Sequence, residues 1–278
     1  MIPFMINPLS LFNCFSQYCS IKSSHDSSST LDLMNYEFFY PTTLLPIMGY
    51  MAEEKISAMM MPQVRGYMSA ILPDLANKDY VSSKSYALRQ LTPDQPKLMH
   101  KTTDEIIDLA DTSYGGKEAF FYLFNELINN IEEHSNSTRA FIMAQKYKKL
   151  GFTETCVFDN GITIPTCFEN HGIEFSTDSE AIEKAMNGKS TKKDQKGRGW
   201  GINTNVQIFT EGLNGEIFIA SRNGAVYLNK DKIERYRSTG IYHLDGTLVS
   251  LRIPKGYINV TKYLERKDIL RDKNAKDV

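Results

Sequence analysis

The sequence lacks an excess of charge of either sign. It has 32 Lys and Arg residues against 33 Asp and Glu residues, a formal net charge of −1. Proteins that bind nucleic acid or anionic membranes through a broad electrostatic surface carry a basic excess. We therefore expect no nucleic-acid partner. The length of 278 residues allows one large domain or two small ones.

Cysteines are few, and long apolar runs are missing. The four cysteines have neither CxxC spacing nor a nearby pair of histidines: Cys14, Cys19, Cys156 and Cys167. This argues against a zinc site or a disulfide framework and favours reduced, buried thiols in a cytoplasmic protein. The apolar start MIPFMINPLSLFNCF has no basic leader, is interrupted by Asn7 and Pro8, and is too short to cross a bilayer. We expect no membrane association.

Two changes in composition predict how the sequence is divided. A serine-rich loop covers residues 23–30, and LTPDQPK around Pro96 looks like a connection between modules. A strand is predicted from Leu31, and an apolar helix is predicted after Pro41. The predicted division is a segment of unassigned role at 1–30, a small α/β module at 31–100, a larger domain at 101–256 and a charged tail at 257–278.

The larger domain alternates helical and extended patterns. KEAFFYLFNELINNIEEHS has helical spacing, RAFIMAQKY and FTETCVFD form a predicted hairpin, and Thr177 with Glu180 predicts the start of a helix that ends before Gly188. INTNVQIFTE predicts another helix, followed by strands that end in TLVSLRIP. Helices interleaved with mostly antiparallel strands predict an α/β sandwich with one face of the sheet covered.

A polar stripe lies on the helix that contains ELINNIEEH. Glu126 and Asn130 are four residues apart and therefore share a face. An amide oxygen can bind Mg²⁺, and a carboxylate one turn earlier can polarise a hydroxyl or a water. The alternative for this stripe is an ordinary amphipathic helix. His134 is better explained as a hydrogen-bonded residue at the helix end than as a catalytic one.

Three later motifs favour a nucleotide site. In VFDNGITIP, Asp159 ends a strand and Gly161 lets a ring approach the backbone. KGRGWGI precedes a helix with three glycines, an arrangement that suits phosphates: Gly197, Gly199 and Gly201. GTLVSLRIP places the hydroxyl of Thr247 at the start of a strand.

The succession ELINNIEEH, DNGIT, GRGWGI and GTLVSLRIP resembles the four nucleotide-binding boxes of the GHKL ATPase superfamily, over about residues 115 to 254. The resemblance implies a Bergerat fold, a two-layer α/β sandwich that holds ATP and Mg²⁺ under a mobile lid. It implies that Asn130 coordinates Mg²⁺, that Asp159 binds adenine beside Gly161, that the three lid glycines hold phosphates, and that Thr247 supports the adenine pocket. In the lid stretch GKSTKKDQKGRGWG, Lys196 or a neighbouring lysine is available to neutralise phosphate charge, although a solvated loop is the alternative for any single lysine.

Two details refine the resemblance. Thr163 occupies the position where the family's DxGxG box usually has its second glycine; it either changes the adenine pocket or hydrogen-bonds locally. Glu126 makes the first box closer to the anti-sigma-factor serine kinases than to sensor histidine kinases. STLDLMNYEFFYPTTLLPIM also resembles part of a STAS domain, which is the usual substrate of those kinases, and Thr42 matches its phosphoacceptor position. For Thr42 the alternative is a helix cap.

The expected function is therefore that of an ATP·Mg²⁺-binding regulatory protein of the GHKL class, with serine/threonine kinase-like activity and Glu126 as the residue that polarises the attacking hydroxyl. The alternatives are an ATP-hydrolysing conformational switch and a non-catalytic ATP-binding interaction module. The expected partners are ATP and another protein, either an anti-sigma-antagonist-like protein or the chain's own N-terminal module. A homodimer is left open.

Overall fold

The structure is a computed structural model that describes residues 8–61, 68, 80–82, 86–107, 114–189, 202–237, 240–263 and 265. Its helices are α1 Leu11–Ser24, α2 Pro41–Glu54, α3 Pro96–Ile107, α4 Lys117–Asn130, α5 Ile164–Asn170, α6 Asp178–Met186 and α7 Ile202–Gln207. Two π-helical turns, Ile131–Ser135 and Ile208–Gly212, extend α4 and α7. Its strands are β1 Thr30–Asp32, β2 Ser57–Met59, β3 Tyr80–Ser82, β4 Tyr86–Leu91, β5 Tyr114–Gly115, β6 Ala140–Tyr147, β7 Phe152–Asp159, β8 Glu216–Arg222, β9 Gly224–Leu228, β10 Ile233–Arg237, β11 Leu244–Pro254 and β12 Gly256–Tyr257.

The molecule is a mixed α/β protein built on one large antiparallel sheet. Eight strands pair in the order β10-β9-β8-β11-β7-β6-β4-β3. Strand β7 lies inside this sheet, is buried at every residue, and pairs along its whole length with both β6 and β11. A strand enclosed in this way fixes the positions of the groups at its two ends. The predicted hairpin of β6 and β7 is confirmed.

Several predicted helices are also confirmed. The apolar residues of α4 pack into the core, as the spacing of Phe120, Phe124 and Leu127 requires. Helix α6 begins where the Thr177 hydroxyl accepts the Glu180 N–H at 3.1 Å. After α6, Gly188 takes φ +86°, a left-handed conformation that glycine adopts without strain.

Helices cover both faces of the sheet, whereas the sequence predicted cover on one. Along β6 and β7, Phe141 and Phe158 belong to a core cluster that includes residues of α1 and α2, and Ile142 and Val157 belong to a second cluster with α3, α4 and α6. Because neighbouring side chains in a strand point to opposite faces, these clusters lie on opposite sides of the sheet. We call the side of α1 and α2 the back face and the side of α4 and α6 the front face.

The predicted boundary near residue 100 does not separate two sheets. Strand β4 pairs with β6 from Tyr86↔Gln145 to Leu91↔Ala140, so residues of the predicted small module complete the large sheet. Strands β1 and β2 form a separate parallel pair around α2. The predicted tail also begins too early, since Ile258 and Val260 are buried in the front-face core. Of that tail, residues 257–263 and 265 are described, and the rest lies outside the described residues.

A buried ion pair fastens the back-face helices to the sheet. The Arg252 guanidinium on β11 donates through Nε to Glu154 Oε2 on β7 at 2.8 Å, and the Glu154 side chain is fully buried. At the start of α2, Thr42 donates its N–H and its hydroxyl to Glu154 Oε1, at 3.0 and 2.7 Å. Arg252 also donates to the Leu9 carbonyl and to Cys14 Sγ, next to and within α1. Both helices therefore depend on one pair of charges.

We expect Glu154→Gln to lower the free energy of unfolding by about 3–5 kcal/mol, because it leaves the Arg252 charge buried without its counter-ion. Urea denaturation measures this loss. Glu234→Gln is the control: it removes a carboxylate from the exposed Lys232–Glu234 pair, and water screens that pair, so little change is expected. Equal losses in the two variants would show that the buried pair does not hold the helices.

Candidate functional site

The polar stripe of α4 borders the front face. Glu126 and Asn130 are partly exposed on this helix, beside the buried Leu127 and Ile128. The helix continues into the π-helical turn, where the Ser135 hydroxyl donates to the Ile131 carbonyl at 2.8 Å. The side chain of His134 lies outside the described residues.

The end of this helical segment is fixed to the loop that follows Asp159. Ile162 donates its N–H to the Ser135 carbonyl at 2.5 Å. A Cβ placed on Gly161 would lie 2.1 Å from that same oxygen, so no other residue fits between the two backbones. Gly161 thus lets the segment that carries Asn130 approach the strand end that carries Asp159. The sequence assigned Gly161 to ligand access, whereas its direct contact is with the backbone of Ser135.

Asp159 is a buried carboxyl group with little compensation. It ends β7, is 6% exposed, and accepts the Gly161 N–H at 2.9 Å. Burial raises the pKa of its carboxyl to about 7, and the hydrogen bond from Gly161 opposes this shift. A carboxyl group held in this way has strong unused capacity to accept hydrogen bonds, which is the property expected of a binding residue.

Three polar side chains form a row across the front face at the ends of three neighbouring strands. Asp159 on β7 is the cross-strand partner of Thr247 on β11, and Thr247 is the partner of Ser221 on β8. Gly246 makes this close pairing possible, because its φ is +116° and a Cβ there would lie 1.9 Å from the Asp159 carbonyl oxygen. We call Asp159, Thr247 and Ser221 the front-face row.

Ser221 was missed in the sequence. Its fully buried hydroxyl donates to the Gly246 carbonyl, lies 3.0 Å from Thr247 Oγ1, and accepts the Ile164 N–H. The signal available was the alternation of EIFIAS, which places Ser221 on the same face as Ile217 and Ile219. This pattern places a polar residue at the end of an apolar face, but it does not indicate that Thr247 of β11 is its partner.

Thr163 hydrogen-bonds locally, which was one of the two alternatives for this departure from the glycine pattern. It is the N-cap of α5, and its hydroxyl accepts the Thr166 N–H at 3.3 Å. Its φ of −71° is accessible to every residue, so the chain needs no glycine at this position.

Arg222 was also missed, and it holds two helices at the edge of the row. Its guanidinium forms two-pronged contacts with Glu169 of α5 and Asp178 of α6, at distances from 2.6 to 2.9 Å. A Cβ on Gly224 would lie 2.4 Å from the Ser179 N, so α6 rests directly on the β8–β9 turn. These contacts keep α5 and α6 beside Ser221.

The predicted phosphate loop falls on residues that the structure does not describe. Lys196, Gly197, Gly199 and Gly201 lie outside the described residues. Between the described ends of this region, α6 finishes at Met186 and α7 begins at Ile202. The phosphate roles of these four residues stay predictions.

Thr42 is not available as a phosphoacceptor in this fold, contrary to the expectation from the STAS resemblance. Its side chain is fully buried, and its hydroxyl donates to the Glu154 carboxylate. A phosphoryl group there would bring negative charge against a buried carboxylate. The alternative, a helix cap, is not observed either: Tyr40 is the N-cap of α2, and Thr42 lies in the first turn of that helix.

The cysteines match the prediction of reduced, buried thiols, since all four are buried and unbridged. Among the described residues, no three His, Cys, Asp or Glu side chains come together as a metal-binding group. In the same part of the chain, no helix has the length and apolar character needed to cross a membrane. Comparison with known proteins gives no match to a family model, to a curated protein or to a solved structure.

We expect the free energy of unfolding of the unliganded protein to fall as the pH rises from about 4 to about 7, because of Asp159. The folded-state pKa of Asp159 lies above the unfolded value, so its stabilising contribution is complete when the carboxyl is neutral in both states and is lost as the folded carboxyl ionises. The loss is about 4 kcal/mol. Asp159→Asn stays neutral, so urea denaturation across this pH range should show the loss in the wild type only. The same pH dependence of the free energy of unfolding in the two proteins would contradict the raised pKa of Asp159.

Proposed function

We propose that this protein is an ATP·Mg²⁺-binding regulatory protein of the GHKL class, with its nucleotide site on the front face. The observation that carries the proposal is the front-face row, in which the carboxyl of Asp159 is buried beside the Thr247 hydroxyl and two closely packed glycine backbones. The order of the four motifs, and the meeting of the first, second and fourth of them at one end of the sheet, support the same class. The Bergerat fold is part of this proposal, with α1 and α2 as an added layer on the back face.

The residues present fit an adenine nucleotide. A buried carboxylate accepts hydrogen bonds from an exocyclic amine. Gly161 and Gly246 allow the backbones of Ser135 and Asp159 to pack closely at this strand end, which holds the Asp159 carboxyl in place. Asn130 provides one amide oxygen at the end of α4. A single protein oxygen is enough for Mg²⁺ when phosphates and waters supply the remaining ligands.

Bound ATP·Mg²⁺ would supply a transferable phosphoryl group. Glu126 lies one helical turn before Asn130 on the partly exposed side of α4, where its carboxylate can polarise a hydroxyl or a water. Lys196, Gly197, Gly199 and Gly201 are the proposed phosphate contacts. Since Thr42 is enclosed, we propose that the hydroxyl acted upon belongs to a partner protein.

The ATPase switch and the non-catalytic ATP-binding module remain the rival functions. All three share the front-face row and differ only in what happens to the terminal phosphate. Glu126 acts as the polarising acid in the kinase-like function and in the ATPase, whereas in the module it is an ordinary, partly exposed residue of an amphipathic helix.

We expect Asp159→Ala to weaken the binding of a fluorescent ATP analogue at least about tenfold, the loss of one hydrogen bond to a charged group. A titration in the presence of Mg²⁺ measures it. Asp231→Asn, which changes an exposed acid in the β9–β10 turn, is the control and should leave the affinity unchanged. Equal affinity of wild type and Asp159→Ala would remove the basis for the site.

Incubation with γ-labelled ATP and Mg²⁺ tests the reaction. We expect label on a co-purified protein partner, lost in both Glu126→Ala and Asn130→Ala, since one variant removes the polarising acid and the other the metal ligand. Thr42→Val should leave the labelling intact, because that hydroxyl is enclosed. Free phosphate without labelled protein would favour the ATPase, and binding without either product would favour the module.

A further inference from the structure

The hydroxyl of Ser221 can make three hydrogen bonds, and two of them are made with backbone groups. The Gly246 carbonyl can only accept, so the contact of 3.0 Å between them uses the single proton of Ser221. The Ile164 N–H can only donate, so at 3.0 Å it occupies one lone pair of Ser221 Oγ. One lone pair remains.

This arrangement fixes the direction of the hydrogen bond to Thr247. The two hydroxyl oxygens lie 3.0 Å apart, and one of them must donate to the other. Ser221 has a single proton and the Gly246 carbonyl can only accept, whereas Thr247 brings a proton of its own, so we infer that Thr247 is the donor: this assignment satisfies both contacts. The proton of Thr247 therefore points towards Ser221. Since Thr247 is partly exposed, the lone pairs of its hydroxyl oxygen can accept hydrogen bonds from a ligand or a water.

The front-face row consequently presents acceptors side by side. Asp159 accepts through its carboxyl oxygens, and Thr247, its direct cross-strand partner, accepts through its hydroxyl oxygen. Because burial raises the pKa of Asp159 to about 7, N–H donors from a ligand favour its ionised, accepting form. A ligand group with two N–H donors can donate to both acceptors, either directly or through a water. A carbonyl oxygen in the same place would face acceptors only and would find no hydrogen-bond donor.

We propose that Ser221 is a specificity-determining positioning residue: by holding Thr247 as an acceptor, it selects a 6-amino purine over a 6-oxo purine. The inference rests on the proposed function, since it concerns the base bound at the same site. Ser221 acts through Thr247 and does not itself reach the ligand, because its side chain is fully buried behind the row.

The test compares the affinities for ATP and for inosine triphosphate, which has a carbonyl oxygen in place of the amine. We expect the wild type to prefer ATP and Ser221→Ala to reduce that preference about fivefold to tenfold, since Thr247 is then free to donate. Thr247→Val, which keeps the shape and loses the hydroxyl, should reduce it similarly, and the double variant should lose no more than Thr247→Val alone. A ratio of two affinities is not changed by a mere loss of stability.

Ser250→Ala is the matched control. Ser250 is also fully buried, lies on β11, and pairs with the Cys156 thiol on the back face, so its removal costs a buried hydroxyl without touching the row. The ATP preference of this variant should equal that of the wild type.

The contrary results are distinct. An unchanged preference in Ser221→Ala, with ATP binding still weakened by Asp159→Ala, would overturn the role of Ser221 and leave the proposed function standing. If Ser221→Ala does not fold, an unchanged preference in Thr247→Val overturns the inference. A wild type that binds neither nucleotide overturns the inference together with the proposed function.

Discussion

The position of strand β7, which is paired on both of its sides, constrains the rest of the structure. The strand is buried at all of its residues, and both of its neighbours pair with it from end to end. A carboxyl group lies near each end, Glu154 on the back face and Asp159 on the front face. Because the strand cannot shift by one residue without exchanging its two faces, the positions of both groups follow from one register.

The two carboxyl groups show how environment separates a structural acid from the acid of the proposed binding site. Glu154 receives hydrogen bonds from Thr42 and an ion pair from Arg252, so its charge is matched within the protein. Asp159 receives the Gly161 N–H, and burial raises its pKa to about 7. A buried acid with so little compensation destabilises the ionised form of the folded protein, and such a group is expected where a ligand supplies the missing donors.

The back-face helices also contact the strand end that carries Asp159. A Cβ on Gly49 of α2 would lie 2.1 Å from the ring of Phe158, the residue before Asp159. Asn160, the residue after it, donates to Glu53 of α2 at 3.3 Å and accepts the backbone N–H groups of Thr138 and Arg139. The added layer therefore supports the candidate site from behind, which explains why the predicted small module is inseparable from the sheet.

The local elements and the order of the motifs could be predicted from the sequence. Helical spacing predicted α4, the cap at Thr177 predicted the start of α6, and the extended patterns predicted β6, β7 and β11, because each of these signals depends on neighbours within a few residues. The sequence also predicted Asp159 and Thr247 as members of one site, through a resemblance in order and spacing. The phosphate loop stays a prediction from the sequence.

Which side chains and strands come into contact depends on the tertiary structure. The pairing of β4 with β6 placed the expected separate module in the same sheet, and the back face was then covered by α1 and α2. The pairing of β8 with β11 brought Ser221 to Thr247, and the left-handed turn at Arg222 brought one guanidinium to two distant helices. These contacts join residues far apart in the chain, and they depend on strand order and register, which no local pattern of residues specifies.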